Sequence, residues 1–381
     1  VRFALLCRRG APDAARRLPL PVLSVGNATW GGSGKTPLTE HLARRCLALG
    51  ATPLILTRGY GCASSRHHSH APQGLSSLFS HCSGGDEARM LRSALAGTPA
   101  RVAVGADRHA SATAFLRSCA ASGEAAPDVA ILDDGLQHFR LRRDADVVCV
   151  DALALWGSGK RVPAGPLREA PAHALRRAAA LVLHNWPLAS QAQRDAATRA
   201  TQPLLQPGTL RLHSHLQPLP TLHPHDLGSD DASPPASVPI EALRGAPAVA
   251  LSGLGNPRAL ELQLRALGAS AVAALSVGDH APFTYADVAR AAEAAVALAA
   301  RTGRTPWLVI TAKDSARDAD AGALSEHALR AAGVACAGGR ALVLRGALRF
   351  VRADDPDDAD VAGAAAMDEL LRGLLARPHA K

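Results

Sequence analysis

Aromatic residues are scarce: the 381-residue chain has six Phe, four Trp and two Tyr, only 3% of the total. The core is therefore expected to be aliphatic. Without rings beside its basic runs, the chain also lacks the stacking platform of a single-strand nucleic-acid binder, so no nucleic-acid partner is expected. Cysteine is equally thin. Cys7, Cys46, Cys62, Cys82, Cys119, Cys149 and Cys336 form no C-x-x-C pair, and their number is odd. This pattern reads as reduced thiols in an intracellular compartment, not as a disulfide framework. No apolar run reaches about 18 residues, the length a membrane-spanning helix needs.

What the chain does have is charge of one sign and aliphatic runs. Its 42 Lys and Arg outnumber its 33 Asp and Glu, for a formal charge of +9. Such a surface favours anionic partners such as nucleotide phosphates or an anionic membrane surface. Residues 1–9 are basic and apolar. They fit either the tail of an anchoring or targeting segment or an exposed chain end. A chain of this length exceeds what one hydrophobic core usually organises, so two domains are expected. Apolar runs at 21–25, 53–56, 102–104, 129–132, 147–150 and 181–183 alternate with Ala/Leu/Arg-rich stretches of helical character. A second series follows at 248–251, 271–275, 307–310 and 341–344. Continuous apolar runs suit strands buried on both faces, and their alternation with helices predicts α/β domains with mostly parallel sheets. Two stretches break the rhythm, the Ser/His-rich residues 62–83 and the Pro/His/Ser/Asp-rich residues 206–238. Both are expected to be loop insertions. Their histidines have no cysteine partners and are weak evidence for a metal site.

The sharpest local signal is Val22-Leu23-Ser24-Val25-Gly26-Asn27-Ala28-Thr29-Trp30-Gly31-Gly32-Ser33-Gly34-Lys35-Thr36-Pro37, followed by a helical stretch over 38–49. Glycines let backbone N–H groups curl around phosphate oxygens, and the helix start adds its positive dipole end. Lys35 is then placed to bridge β- and γ-phosphates, and the Thr36 hydroxyl to ligate Mg²⁺. This is a P-loop in which Thr29 stands where the strict pattern has Gly. Downstream, Val129-Ala130-Ile131-Leu132-Asp133-Asp134-Gly135 is a buried strand ending in two acids, the place of a Walker-B segment. Adjacent carboxylates at a strand tip repel unless a cation compensates them. Asp151, after the strand at 147–150, reads as a turn residue.

Together these segments resemble the tetraacyldisaccharide 4'-kinase family, the lipid A 4'-kinases. The resemblance rests on an ordered set: residues 25–37, Thr57-Arg58-Gly59-Tyr60-Gly61, Gly85-Asp86-Glu87 and a segment ending at Arg108. Asp133-Asp134-Gly135-Leu136-Gln137-His138 and Pro163-Ala164-Gly165-Pro166-Leu167-Arg168-Glu169 continue it. Gly253-Leu254-Gly255-Asn256-Pro257, Asp279-His280 and Thr311-Ala312-Lys313-Asp314 complete it. The family's own loop carries Thr at the position of Thr29. This chain differs in having little of the family's leading hydrophobic helix, Ala281 where a second His is usual, and two atypical insertions.

The resemblance implies a P-loop NTPase-like α/β fold: two α/β/α sandwich domains joined by a hinge. The expected domains are residues 1–178 with the catalytic and lid motifs, 179–345 with Asp279-His280, and a helical segment at 346–381 packing on either. It implies transfer of the ATP γ-phosphate to the 4'-hydroxyl of a tetraacyldisaccharide 1-phosphate, giving lipid IVA, by a monomer peripheral to a membrane. The location would be the cytoplasmic face of the inner membrane in a bacterium, or a mitochondrion or plastid in a eukaryote. Asp86, assisted by His280, would take the acceptor proton, with Lys35 on the triphosphate. Thr29, Trp30, Gly31, Gly32, Ser33, Gly34, Thr36, Arg58, Arg108, Gln137 and Arg168 would bind the nucleotide. Thr36, Asp133, Asp134 and Glu169 would hold Mg²⁺. The rival reading is a P-loop ATPase that switches a partner and needs neither Asp86 nor His280.

Overall fold

The computed structural model describes residues 15–59, 85–225, 237–278, 281–318 and 322–377. The chain forms two compact units, Val1–His215 with Leu348–Lys381, and Leu216–Ala347. The first holds β1 (Val22–Gly26), β2 (Pro53–Thr57), β3 (Arg101–Val104), β4 (Val129–Asp133), β5 (Ala145–Asp151) and β6 (Ala178–His184). Its helices are α1 (Lys35–Ala48), α2 (Gly85–Ala94), α3 (Arg108–Ser122), α4 (Pro171–Arg176) and α5 (Gln191–Thr201). The unit boundaries fall inside β7 (Leu210–Pro218) and β14 (Gly346–Val351), and α10 (Val361–Leu375) closes the chain.

These strands form one eight-stranded sheet in the order β14-β7-β6-β5-β1-β4-β2-β3. From β3 through β7 every pairing is parallel. Successive side chains of a strand point to opposite faces, and the core divides accordingly. Leu23, Val25 and Ile131 pack with Leu38, Leu42 and Cys46 of α1 and with Met367 and Leu371 of α10. Val22, Ala130 and Leu132 pack on the other face with Ala112, Phe115 and Cys119 of α3. Fully burying a leucine such as Leu42 contributes about 1.5–3 kcal/mol. The β1 strand, buried throughout, thus ends in the middle of the sheet with its next residues at the strands' C-terminal edge.

The second unit is built on a six-stranded sheet in the order β11-β10-β12-β13-β8-β9. These are β8 (Thr221–Pro224), β9 (Val238–Pro239), β10 (Pro247–Ser252), β11 (Ala271–Ser276), β12 (Trp307–Thr311) and β13 (Ala341–Leu344). β11 to β13 pair in parallel, and β8 and β9 add antiparallel at one edge. Leu260 and Leu264 of α6 (Pro257–Ala266) cover one face. Val288, Ala291 and Leu298 of α7 (Tyr285–Thr302) cover the other. The described residues of this unit also include α8 (Ala312–Asp318) and α9 (Glu326–Ala331).

The architecture is α/β with mostly parallel sheets, as the strand–helix rhythm predicts, and three elements differ from expectation. The stretch 206–238 is not one loop: it contains β7 and β8, whose buried positions Leu212, Ser214 and Leu222 are separated by histidines that hide the strand pattern. Residues 226–236 of that stretch lie outside the described residues. The segment after 346 begins as a strand, because Leu348 and Phe350 face the core while Arg349 faces out. The units also divide within β7, not at residue 178, since β6 continues the first sheet by pairing with β5. The expected loop at 62–83 falls outside the described residues.

Candidate active site

The site starts where β1 runs out. Gly26 must be bare, because a Cβ there would lie 2.4 Å from Leu136 Cβ. The loop then closes on itself: Asn27 Nδ2 donates to Ser33 Oγ at 2.8 Å and to Thr29 Oγ1 at 3.3 Å. Gly34 takes φ 83°, and a Cβ on it would meet the His184 ring at 2.5 Å. Only glycine meets both demands without strain. Burial pushes the Cys149 thiol up to about 12, so it stays protonated and donates to the Ser33 carbonyl. The helix α1 follows at once, with Lys35 and Thr36 in its first turn and both buried. Pro37 costs nothing there, because the first turn's N–H groups have no intrahelical partner.

Two acids face this loop from the end of β4. Asp133 accepts from Thr36 Oγ1 at 3.3 Å and from Thr39 Oγ1 at 2.9 Å. Burial, with Glu87 and Asp134 adding negative charge, pushes the Asp133 carboxyl up to about 7. Asp134 turns the other way, with φ 52°. Its Oδ1 lies 3.7 Å from Lys35 Nζ and 2.5 Å from Arg168 Nη1. Burial alone would raise the Asp134 carboxyl, but Lys35, Arg168 and Arg108 outweigh it and hold the group well below the usual carboxylate range. Lys35 Nζ also donates to Gly31 O at 3.2 Å.

The segment carrying Arg168 and Glu169 lies on the P-loop. Trp30 N donates to Pro166 O at 2.5 Å, and Arg168 N donates to Ala28 O at 2.7 Å. The Arg168 guanidinium sits 5.4 Å from the centre of the Trp30 ring, within cation–π range. Gln137 joins the two segments. Its Nε2 donates to Asn27 O at 2.9 Å and to Glu169 Oε1 at 2.7 Å, while its Oε1 accepts from Arg168 Nη1 at 3.3 Å. Glu169 is gripped from behind by Arg177, at 2.6 Å on Oε1 and 2.8 Å on Oε2.

The remaining sequence-predicted residues fall as follows. Asp86 and Glu87 lie in the first turn of α2, with Asp86 buried. Arg108, at the start of α3, is buried within the electrostatic reach of Asp134, Arg58, Asp133 and Glu87. Arg58 is exposed just beyond β2. His280, with Asp279, lies outside the described residues. Asp151 receives Asn185 Nδ2 and Leu153 N at 3.0 Å, which fits the expected turn role. Sequence reading missed Thr39 and Arg177. Thr39 follows Thr36 by three positions, so both hydroxyls share one helix face, a spacing that could have found it. Arg177 carries no such signal.

The site thus gathers a glycine-rich loop, two cations and two acids in opposite electrostatic states. That set suits binding of a polyanion with a divalent cation and stabilisation of charge moving onto phosphate oxygens. Among the described residues no group of three or more His, Cys, Asp and Glu could hold a metal by itself.

A sequence profile described as tetraacyldisaccharide-1-P 4'-kinase matches residues 2–341. A probable mitochondrial tetraacyldisaccharide 4'-kinase of Arabidopsis thaliana is 34% identical over 325 residues, covering 79% of this chain and 73% of the relative. The tetraacyldisaccharide 4'-kinase of Anaeromyxobacter dehalogenans is 36% identical over 356 residues, covering 93% and 84%. That of Pelobacter propionicus is 36% identical over 269 residues, covering 71% and 67%. Among solved structures, LpxK from Aquifex aeolicus, crystallised with ATP, shares the fold with a TM-score of 0.52 and 22% identity, over 95% of this chain and 90% of that one. On its sequence, the chain belongs to the tetraacyldisaccharide-1-P 4'-kinase family.

Proposed function

We propose that this chain moves the γ-phosphate of ATP to the 4'-hydroxyl of a tetraacyldisaccharide 1-phosphate, giving lipid IVA. The observation that carries the reading is the convergence of Lys35 and Arg168 on Asp134 at the mouth of the P-loop. Both cations stand where a bound triphosphate would take them over, and both then face the oxygens on which charge develops in transfer.

The residues present fit Mg²⁺. The Thr36 hydroxyl and the Asp133 and Asp134 carboxylates are hard oxygen donors, and at Asp133 burial and the neighbouring acids outweigh the pull of Lys35, which favours a further cation there. A set this small suits an ion whose shell is completed by phosphate and water. When bound there, the ion neutralises charge on β- and γ-phosphate oxygens. Thr39 fixes the Asp133 carboxylate on the side away from Thr36. The loop amides from Gly31 to Thr36 hold the phosphates, and Arg58 and Arg108 supply further positive charge. Asp86 takes the proton of the attacking hydroxyl, with His280 as its assistant. A sugar hydroxyl is far too weak an acid to ionise unaided near neutral pH.

The acceptor is a lipid, so the chain meets it at a bilayer surface. No helix among the described residues is long and apolar enough to cross a membrane. The charge of +9 supports peripheral contact with anionic headgroups, as a monomer. The test is incubation with radiolabelled ATP, Mg²⁺ and a tetraacyldisaccharide 1-phosphate. A labelled lipid is expected; ATP turnover without labelled lipid would leave the switch-like ATPase instead.

A further inference from the structure

Arg177, directly after α4, hydrogen-bonds to Glu169 and to the carbonyls of Leu136 and His173. Its guanidinium makes a two-pronged contact with Glu169, Nη2 to Oε1 at 2.6 Å and Nη1 to Oε2 at 2.8 Å. Nη2 also donates to Leu136 O at 3.1 Å, and Nη1 to His173 O at 2.7 Å. The plane is supported by the Phe139 ring, 5.2 Å from its centre, and Asp146 Oδ2 lies 3.7 Å from Nε. The fork is doubly bonded to Glu169 through Nη1 and Nη2, while Nε makes no hydrogen bond.

The pairing continues forward. Glu169 Oε1 takes a second hydrogen bond from Gln137 Nε2 at 2.7 Å, which fixes the Gln137 amide with its oxygen outward. The same Nε2 holds Asn27 O at the entry of the P-loop, at 2.9 Å. The outward oxygen accepts from Arg168 at 3.3 Å, and Arg168 reaches Asp134. Side chains of Arg177, Glu169, Gln137 and Arg168 therefore form one continuous line into the phosphate site. Oε1 accepts from Arg177 and Gln137 and Oε2 from Arg177, so the Glu169 carboxylate is paired with the Arg177 guanidinium.

We infer that Arg177 is a positioning residue for phosphoryl transfer, acting through Glu169 and Gln137 to aim Arg168 and to set the P-loop entry. The inference deepens the transfer reading and rests on it. Partners one layer behind a reacting centre cost about 10–100-fold when removed. Lysine keeps the charge and loses the fork.

The experiment compares Arg177→Lys, Arg177→Met, Glu169→Gln and the Arg177→Met/Glu169→Gln double variant, all full-length, with Mg·ATP and the lipid acceptor. The expected result is a kcat per folded protein lowered about 10–100-fold in each single variant and a lipid KM within about twofold of wild type, with Arg177→Met melting lower because it leaves the Glu169 carboxylate unpaired. The double variant is expected to be no worse than the worse single, because the two residues act in series. Wild-type kcat in Arg177→Lys or Glu169→Gln overturns the inference. So does an additive double loss, or a loss of activity that only follows a loss of folded protein. If Arg177→Met fails to fold, Arg177→Lys and Glu169→Gln decide. If wild-type protein labels no lipid, the transfer reading fails by itself. ATP affinity then decides on Arg177: a Kd raised about tenfold in Arg177→Lys upholds its orienting role, and an unchanged Kd overturns it.

Discussion

Asp133 and Asp134 are consecutive, yet their side chains leave the end of β4 toward opposite partners: Asp133 toward the hydroxyls of Thr36 and Thr39, Asp134 toward Lys35 and Arg168. The positive φ of Asp134 makes this possible, since a strand continued regularly would send the second side chain to the far face of the sheet. One carboxylate meets neutral donors in a buried place, the other two cations. Burial and the charges of Glu87 and Asp134 raise the first, while Lys35, Arg168 and Arg108 lower the second.

A pH-dependent stability follows for the metal-free protein. Burial raises the Asp133 carboxyl to about 7, far above its unfolded value. A raised group favours the folded state below its unfolded pKa, and that contribution is lost as pH climbs toward 7 and the buried acid ionises. Asp134 has the opposite sign: its depressed value stabilises above the unfolded carboxylate pKa and is lost in acid. With EDTA present, the melting-point advantage of Asp133→Asn over wild type is expected to widen steadily from about pH 4, the unfolded carboxylate value, to about pH 7 and to stay constant above it. Thermal melts across that range check it, and parallel curves for the two proteins would contradict it.

Lys35 is one of two cations on Asp134 and lies in the first turn of α1. Lys35→Met is expected to lower transfer by at least about 10²–10³-fold, the usual cost of one lost donor to a developing charge. Steady-state kinetics with saturating ATP measure this. Retention of near-normal kcat would remove Lys35 from the phosphate site.

How much of this was legible in advance depended on locality. The P-loop and the Asp133-Asp134 pair could be read because their chemistry sits in consecutive residues behind strands made of unbroken apolar runs. The central strands could be read for the same reason. β7 and β14 could not, because His213, His215 and Arg349 interrupt the apolar pattern and only pairing into the sheet makes them strands. Arg177 was invisible because its partners, Glu169, Leu136 and Phe139, come together only in the fold.

Gly34 tests the loop's backbone independently of any charge. Its φ of 83° costs an L-residue about 1–2 kcal/mol, and the added Cβ would also collide with His184, itself held by Ser214 at 3.1 Å. Gly34→Ala is expected to lower stability by more than that backbone cost alone and to abolish ATP binding. Chemical denaturation and calorimetry with Mg·ATP are the measurements. A variant that binds ATP normally would show that the loop need not close on His184.

The sharpest division between a kinase and a switch lies at Asp86. It is buried in the first turn of α2, in the same turn as Glu87, whose charge reaches Asp133. Asp86→Asn keeps size and hydrogen bonding and removes the proton acceptor. A general base contributes about 10²–10⁴-fold, so transfer to the lipid is expected to fall by that factor. ATP affinity should stay within about twofold, because no expected phosphate contact is lost. A switch that activates water or a partner through the P-loop alone would keep its ATP turnover. Loss of transfer with intact ATP binding therefore assigns the proton to Asp86, while unimpaired lipid labelling by Asp86→Asn would strip it of that role and send the search to another carboxylate of the same unit.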